Sequence, residues 1–256
     1  MRYEDINLIQ PIEDEKYSEK SDFVILKMRE ILEECMDRGN NKVILNTNLK
    51  RGLPLENINK LAGPMIEAWA SEIYLDILET LGDKFKLVNV EPQYRLGMAD
   101  ILLEFDYNSE SVMGNVDVKA SSAGIKKSGL KPNITSYSRI RTAYVRNPNY
   151  MFIILSLKQE VTSIKNEVTG LMDGVMTVVD FNIYDLKYIS YSDLNYNPAL
   201  GTGQIQIKDI HKVHLQKRTA LEFISLLDEK YLRSSRRSIE DFIREAEKNK
   251  WITAKK

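Results

Sequence analysis

Asp100 stands seventeen positions before Asp117, and Lys119 follows two further on, in the runs Asp100-Ile101-Leu102-Leu103-Glu104-Phe105 and Val116-Asp117-Val118-Lys119-Ala120. Both runs read as strands. The polar segment between them, Asp106-Tyr107-Asn108-Ser109-Glu110-Ser111, is rich in turn formers. A hairpin made of the two strands brings Asp100 near Asp117. Alternation along the second strand puts Asp117 and Lys119 on one face and the Val118 side chain on the other. Two carboxylates and an ammonium at one spot can hold a divalent cation beside a phosphate and activate a water. Carboxylate oxygens suit Mg²⁺, which keeps several waters and takes one or two protein carboxylates together with substrate phosphate. The lysine can orient or deprotonate the attacking water, or stabilise the pentavalent phosphate. A surface hairpin with ordinary charged residues is the other use for this pattern.

The elements that must position these groups lie on either side. Residues 63–82 carry apolar side chains at 66, 69, 70, 73, 74, 77, 78 and 81, a helical period, with Pro64 at the start and Gly82 as terminator. Glu67 falls near the start of that expected helix. It is either a first-turn glutamate favoured by the helix dipole or a further acid aimed at the metal site. Downstream, Val118 to Gln159 holds eight basic residues and no acid, where the chain-wide frequency predicts about six acids. The formal net charge is only −1, so this local stretch, not bulk charge, points to nucleic acid. Its loop-like middle, 121–133, contains Lys126, Lys127 and Lys131, and leads into an expected helix over 134–146 with Asn133 as N-cap. Ser136, Tyr137, Arg139 and Arg141 then become candidates for backbone phosphates. A solvated basic face is the competing reading.

In order and spacing these residues resemble the PD-(D/E)xK nucleases, and among them the type II restriction endonucleases, over roughly residues 60–160. The chain runs acid-bearing helix (Glu67), strand 85–91, Asp100, Asp117-x-Lys119, then helix 134–146. Aspartate before x-Lys and a glutamate on the preceding helix make it most similar to the blunt-cutting branch, with a second echo in Lys131-Pro132-Asn133-Ile134-Thr135-Ser136-Tyr137. Ala99 stands where the family signature has proline. The resemblance implies an α/β restriction-endonuclease-like fold, with a central mixed sheet flanked by helices. It implies Asp100, Asp117 and the Val118 carbonyl as metal ligands, Lys119 as the catalytic cation and Glu67 as an auxiliary acid. The cofactor would be Mg²⁺, with Mn²⁺ able to substitute and Ca²⁺ supporting binding without cleavage. The substrate would be double-stranded DNA cut at a short palindrome by a homodimer, with a cognate DNA methyltransferase as genetic partner. Base contacts need loops that reach a groove. The candidates are 121–133 and 197–206, through Asn133, Asn197, Thr202, Gln204 and the lysines. A structure-specific or repair nuclease, a silent DNA-binding module and an unrelated α/β enzyme stay open.

With 256 residues, 43% hydrophobic, the chain suits a single endonuclease domain, the catalytic core at about 60–160 and 161–256 supplying recognition and C-terminal helices. No apolar run reaches the ~18 residues of a membrane span, no secretory stretch stands at the N-terminus, and Cys35 is the only cysteine. Together these predict a soluble cytoplasmic protein, with Cys35 in a packing role.

Elsewhere a helix is expected over 22–38 and strands over 43–45, 150–157, 176–186 and 204–207. Residues 194–203 read as turns, and terminal helices occupy 219–232 and 238–250. Gly201-Thr202-Gly203 lacks the remaining glycine and lysine of a phosphate loop, and His211 and His214 lack the cysteines of a zinc site. Arg233, Arg236 and Arg237 can equally touch phosphate or mark a solvated break between helices.

Overall fold

A computed structural model describes residues 2–93 and 97–253. They form two compact units that interleave along the chain. One consists of Lys20–Leu130 and Phe152–Tyr184, the other of Met1–Glu19, Lys131–Met151 and Asp185–Lys256.

The first unit, the large-sheet unit, is built on six strands. These are β1 (Lys42–Leu45), β2 (Leu87–Pro92), β3 (Ile101–Tyr107), β4 (Glu110–Ser122), β6 (Phe152–Lys165) and β7 (Met172–Asp185), in the order β1-β7-β6-β4-β3-β2. The sheet is mixed, as expected. β3 pairs antiparallel with β2 and β4, β1 antiparallel with β7, and β4 parallel with β6. β6 carries an unbroken buried run from Phe152 to Leu157, the pattern of a strand covered on both faces. The hairpin β3–β4 closes more tightly than the polar segment 106–111 suggested. The strands continue through it, and only Asn108 and Ser109 turn, both at positive φ (54° and 67°), as a two-residue hairpin loop demands.

Helices cover both faces of this sheet. α1 (Tyr17–Asp37) approaches so closely that a Cβ on Gly114 would lie 3.2 Å from Val24 Cγ1, which is why glycine stands there. α2 (Leu55–Phe85) packs on β2, β4 and β6. It starts eight residues earlier than its expected beginning at 63, with Pro64 inside it rather than in its first turn. Proline leaves the Lys60 carbonyl without its i+4 donor. The burial of Ile58 and Ala62, which extend the apolar stripe of Ile66, Ala70, Ile73 and Ile77, offsets that cost. Glu67 therefore sits well inside the helix, and the first-turn dipole account of it does not apply.

The second unit, the small-sheet unit, holds strands β5 (Asn133–Ser136), β8 (Leu194–Asn197) and β9 (Gln204–Ile207) in the order β5-β9-β8, all antiparallel. With them are α3 (Tyr137–Arg146), α4 (Ala220–Leu232) and α5 (Ile239–Lys248). Two local expectations change here. Residues 133–136 are strand rather than helix, and the N-cap of α3 is Ser136, which accepts from the Arg139 amide, not Asn133. Residues 194–197 pair as a strand, leaving only 198–203 to turn. Short polar strands of this kind exist because β9 offers a ladder on both sides. Thr219 and Ser238 cap α4 and α5 with reciprocal glutamate and aspartate partners. Among the described residues no helix is long and apolar enough to cross a membrane.

Candidate active site

The register of β3 and β4 sets the site. Ile101 lies opposite Val116, and the Asp100 amide donates to the Val116 carbonyl (2.8 Å), so Asp100 arrives beside Asp117 at the end of the hairpin. Asp100 is then held by a bond that its own alternation does not reveal: its Oδ2 accepts from the Val118 amide at 2.7 Å. Lys119 reaches back over β4, its Nζ 2.7 Å from Asp117 Oδ1 and 3.3 Å from the Val118 carbonyl oxygen. Val118 and Val116 fill the opposite face and are fully buried. Glu67, on α2 above the Asp117 face, lies within electrostatic reach of Asp100, Asp117 and Lys119.

Three carboxylates thus share one ammonium in a mostly dry place. The Asp117 side chain is 5% exposed and that of Lys119 20%. Burial pushes the Asp117 carboxyl up to about 7, more than the neighbouring Lys119 pulls it down, and Asp100 and Glu67 add to the rise. Glu67 is also raised, by burial and then by Asp100. Asp117 Oδ2 is buried with no hydrogen-bond partner among the described residues. An orphaned carboxylate oxygen in an acid-rich, cation-poor site is a poor end state for a protein, because burying charge without a partner is costly. It is a suitable ligand for a hard divalent ion. No group of three His, Cys, Asp or Glu side chains converges in metal-holding geometry among the described residues. Asp100, Asp117 and the Val118 carbonyl oxygen lie together at this point, with the Lys119 ammonium beside them.

A model of the type II restriction endonuclease HpaI family matches residues 4–250. The type II restriction enzyme HpaI of Haemophilus parainfluenzae is 58% identical over 252 residues, covering 98% of this chain and 99% of that enzyme. The chain belongs to the HpaI family of type II restriction endonucleases. Among solved structures, NlaIV restriction endonuclease aligns over 87% of each chain at 12% identity with a TM-score of 0.41.

As an HpaI-family enzyme the protein is a site-specific deoxyribonuclease that acts on double-stranded DNA as part of a restriction–modification system, and the repair-nuclease and silent-module alternatives give way. Enzymes of this class generally use divalent metal ions.

The expected DNA contacts divide. Lys126, Lys127, Lys131, Asn133 and Arg139 are exposed, and Ser136, Asn197, Thr202 and Gln204 are half-buried. Tyr137 and Arg141 require correction: both are fully buried in the small-sheet unit and cannot face a DNA backbone. Arg141 forks onto Asp228 of α4 (Nε–Oδ1 2.7 Å, Nη2–Oδ2 2.9 Å), and Tyr137 donates to Asp228 Oδ1 at 2.6 Å. Tyr3 donates to Oδ2 at 2.7 Å, and the guanidinium lies 4.2 Å from the Trp251 ring centroid. Nothing in the sequence near Arg141 signals this partner. Arg237, a candidate phosphate contact, instead clamps the 198–203 turn through Tyr196 OH (2.8 Å) and the carbonyls of Pro198 (3.0 Å) and Gly201 (2.5 Å). Cys35 is buried as expected, and His214 pairs with Asp193.

Proposed function

We propose that the protein is a Mg²⁺-dependent endonuclease that hydrolyses phosphodiester bonds at a short palindromic site in double-stranded DNA, working as a homodimer. The observation that carries the metal reading is Asp117 Oδ2, buried and unpartnered beside Asp100 and Lys119. Asp100, Asp117 and the Val118 carbonyl would hold the ion. Bound there, it would supply charge neutralisation at the scissile phosphate and acidify water. The chain's own residues do the positioning. The Val118 amide donates to Oδ2 of Asp100 and fixes that carboxylate at the end of the hairpin, where it would help hold the ion. Asp117 Oδ1 fixes the Lys119 ammonium, which orients the attacking water and stabilises the pentavalent phosphate as the bond to the leaving oxygen breaks. Glu67 is an auxiliary acid that tunes the pair electrostatically. Lys126, Lys127, Lys131 and Arg139 follow the phosphates. A two-fold dimer cuts both strands of a palindrome symmetrically.

The test is digestion of a sequenced plasmid followed by end mapping. Discrete cuts are expected with Mg²⁺ or Mn²⁺, no cuts in chelator, and tight site-specific binding without cutting in Ca²⁺. Full activity in excess chelator would remove the metal reading. Replacing Lys126 and Lys127 with alanine should weaken binding to all DNA and lower the salt slope by about one unit per lost phosphate contact.

A further inference from the structure

The small-sheet unit presents a polar face built from rows that cross all three strands. Gln206 of β9 lies opposite Asn133 of β5 and Asn195 of β8. Gln204 lies opposite Ser136 and Asn197. Directly opposed residues in an antiparallel sheet point to the same side, and alternate residues along a strand share a face. The other side is apolar: Ile205, Ile207 and Leu194 are buried. The irregularity between Asn133 and Thr135 preserves this arrangement. The extra residue lets Ile134 and Thr135 both turn inward, which keeps Asn133 and Ser136 in the polar rows.

Beyond the row of Gln206 the face becomes basic. The Lys131 amide donates to the Lys208 carbonyl (3.1 Å), and both lysines are exposed. Lys230 sits 3.6 Å from the Tyr191 ring centroid, and Arg233 donates to the Tyr191 hydroxyl at 3.2 Å. Burial, and after it the charge of Lys208, bring Lys230 down to about 8.

Each amide offers one carbonyl acceptor and one amino donor, the pair that base edges in the major groove accept in bidentate fashion. Rows two residues apart are separated by about 6.8 Å along a strand, close to two base-pair steps. The major groove, about 12 Å wide, admits a two-stranded ribbon, and the adjacent strands β8 and β9 that carry Asn195 and Gln206 make one. Gln206 is already ordered by donating to Asn133 Oδ1 at 2.9 Å, so less side-chain freedom is lost when it meets a base.

We propose that this amide face reads base edges in the major groove of double-stranded DNA, with Gln206 and Asn195 as specificity-determining residues and Lys131 and Lys208 contacting phosphate at its edge. Asn195 lies outside the candidate loops 121–133 and 197–206, Gln206 closes the second without being among the residues singled out there, and the inference rests on the enzyme being a site-specific duplex cutter.

A duplex library with a randomised block, cut in Mg²⁺ and sequenced at its ends, tests it. Gln206→Ala and Asn195→Ala should each widen the set of sites cut, losing about 10- to 100-fold discrimination at one or two positions while the rest of the pattern stands. Gln206→Glu keeps the size but only accepts, so it should shift preference at the same position toward a pair that presents the cytosine amino group. Lys208→Ala should leave the site list intact and lower the salt slope of binding by about one unit. If the glutamine and asparagine variants fold, melt as the parent does and cut the same sites in the same ratios, the face does not read DNA. A changed oligomeric state with unchanged site preference would assign the face to a second copy of the chain and overturn the proposal. Wild-type cutting with no preference would remove the site-specific premise itself, a different failure from the first.

Discussion

At Asp117 burial and charge pull against each other. The carboxylate is wedged among Lys119, Asp100 and Glu67 with one oxygen unsatisfied, and burial wins, lifting its titration to about 7. An unfolded aspartate titrates near ~3.9, so between about pH 4 and pH 7 the folded protein binds a proton that the unfolded chain has released. The stability Asp117 contributes is therefore fully present below pH 4 and lost as pH rises through 7. In chelator, the wild type should lose stability across this window, and Asp117→Asn should remove much of that slope, on the order of 1–4 kcal/mol. Chemical denaturation at a series of pH values measures it, and equal slopes in the two proteins would contradict the burial argument. Lys119 is the complementary case. In the proposed mechanism its ammonium acts on the phosphate, and in the structure it bonds Asp117 at the surface of the site rather than packing in the core, so Lys119→Ala should fold normally yet cut at least about a thousandfold more slowly. Single-turnover cleavage with Mg²⁺ reads this directly.

Among elements, the hairpin β3–β4 is the device that makes the site, because register alone delivers Asp100 to Asp117. A shift by one residue would turn Asp117 and Lys119 onto the α1 face and Val118 into the site. Helices α3 and α4 are joined differently, through a buried fork between Arg141 and Asp228, both 0% exposed. Such a pair is costly to half-remove, since the remaining guanidinium has neither water nor counter-charge. Asp228→Ala should destabilise the small-sheet unit by about 3–5 kcal/mol, visible as a lowered denaturation midpoint. A loss below about 1 kcal/mol would mean that Tyr3, Tyr137 and Trp251 hold the arginine without it.

For the whole molecule, the near-neutral net charge of −1 hides an uneven distribution. The acid-free stretch is divided between two compact units, and its Arg141 lies in a core. Lys126, Lys127, Lys131, Arg139 and Arg146 do reach solvent. The palindromic site proposed above would call for a two-fold dimer. Sedimentation equilibrium in solution should therefore return about twice the chain mass of 29.6 kDa, with or without Ca²⁺. A stable monomer that cuts both strands of its site in one binding event would contradict the dimer.

Much of the candidate site was legible because it depends on short-range geometry. Two-residue alternation on β4 pairs Asp117 with Lys119, turn chemistry folds the chain back to Asp100, and the apolar period of α2 announces the helix that carries Glu67. These patterns arise from bond geometry within a few residues and leave a trace in any window of sequence. The rest was decided by partners far along the chain. Arg141 looks like a phosphate contact until Asp228, 87 positions away, claims it, and Tyr137 meets the same carboxylate from 91 positions away. Residues 133–136 become a strand only because β9 is there to pair with them, which in turn creates the amide rows that no single segment displays. Pro64 stays inside α2 because Ile58 and Ala62 find a core to bury in. Local periodicity says which side chains share a face. Only the closed tertiary structure decides what that face meets, and so whether a charged side chain is spent inside the protein or left for its substrate.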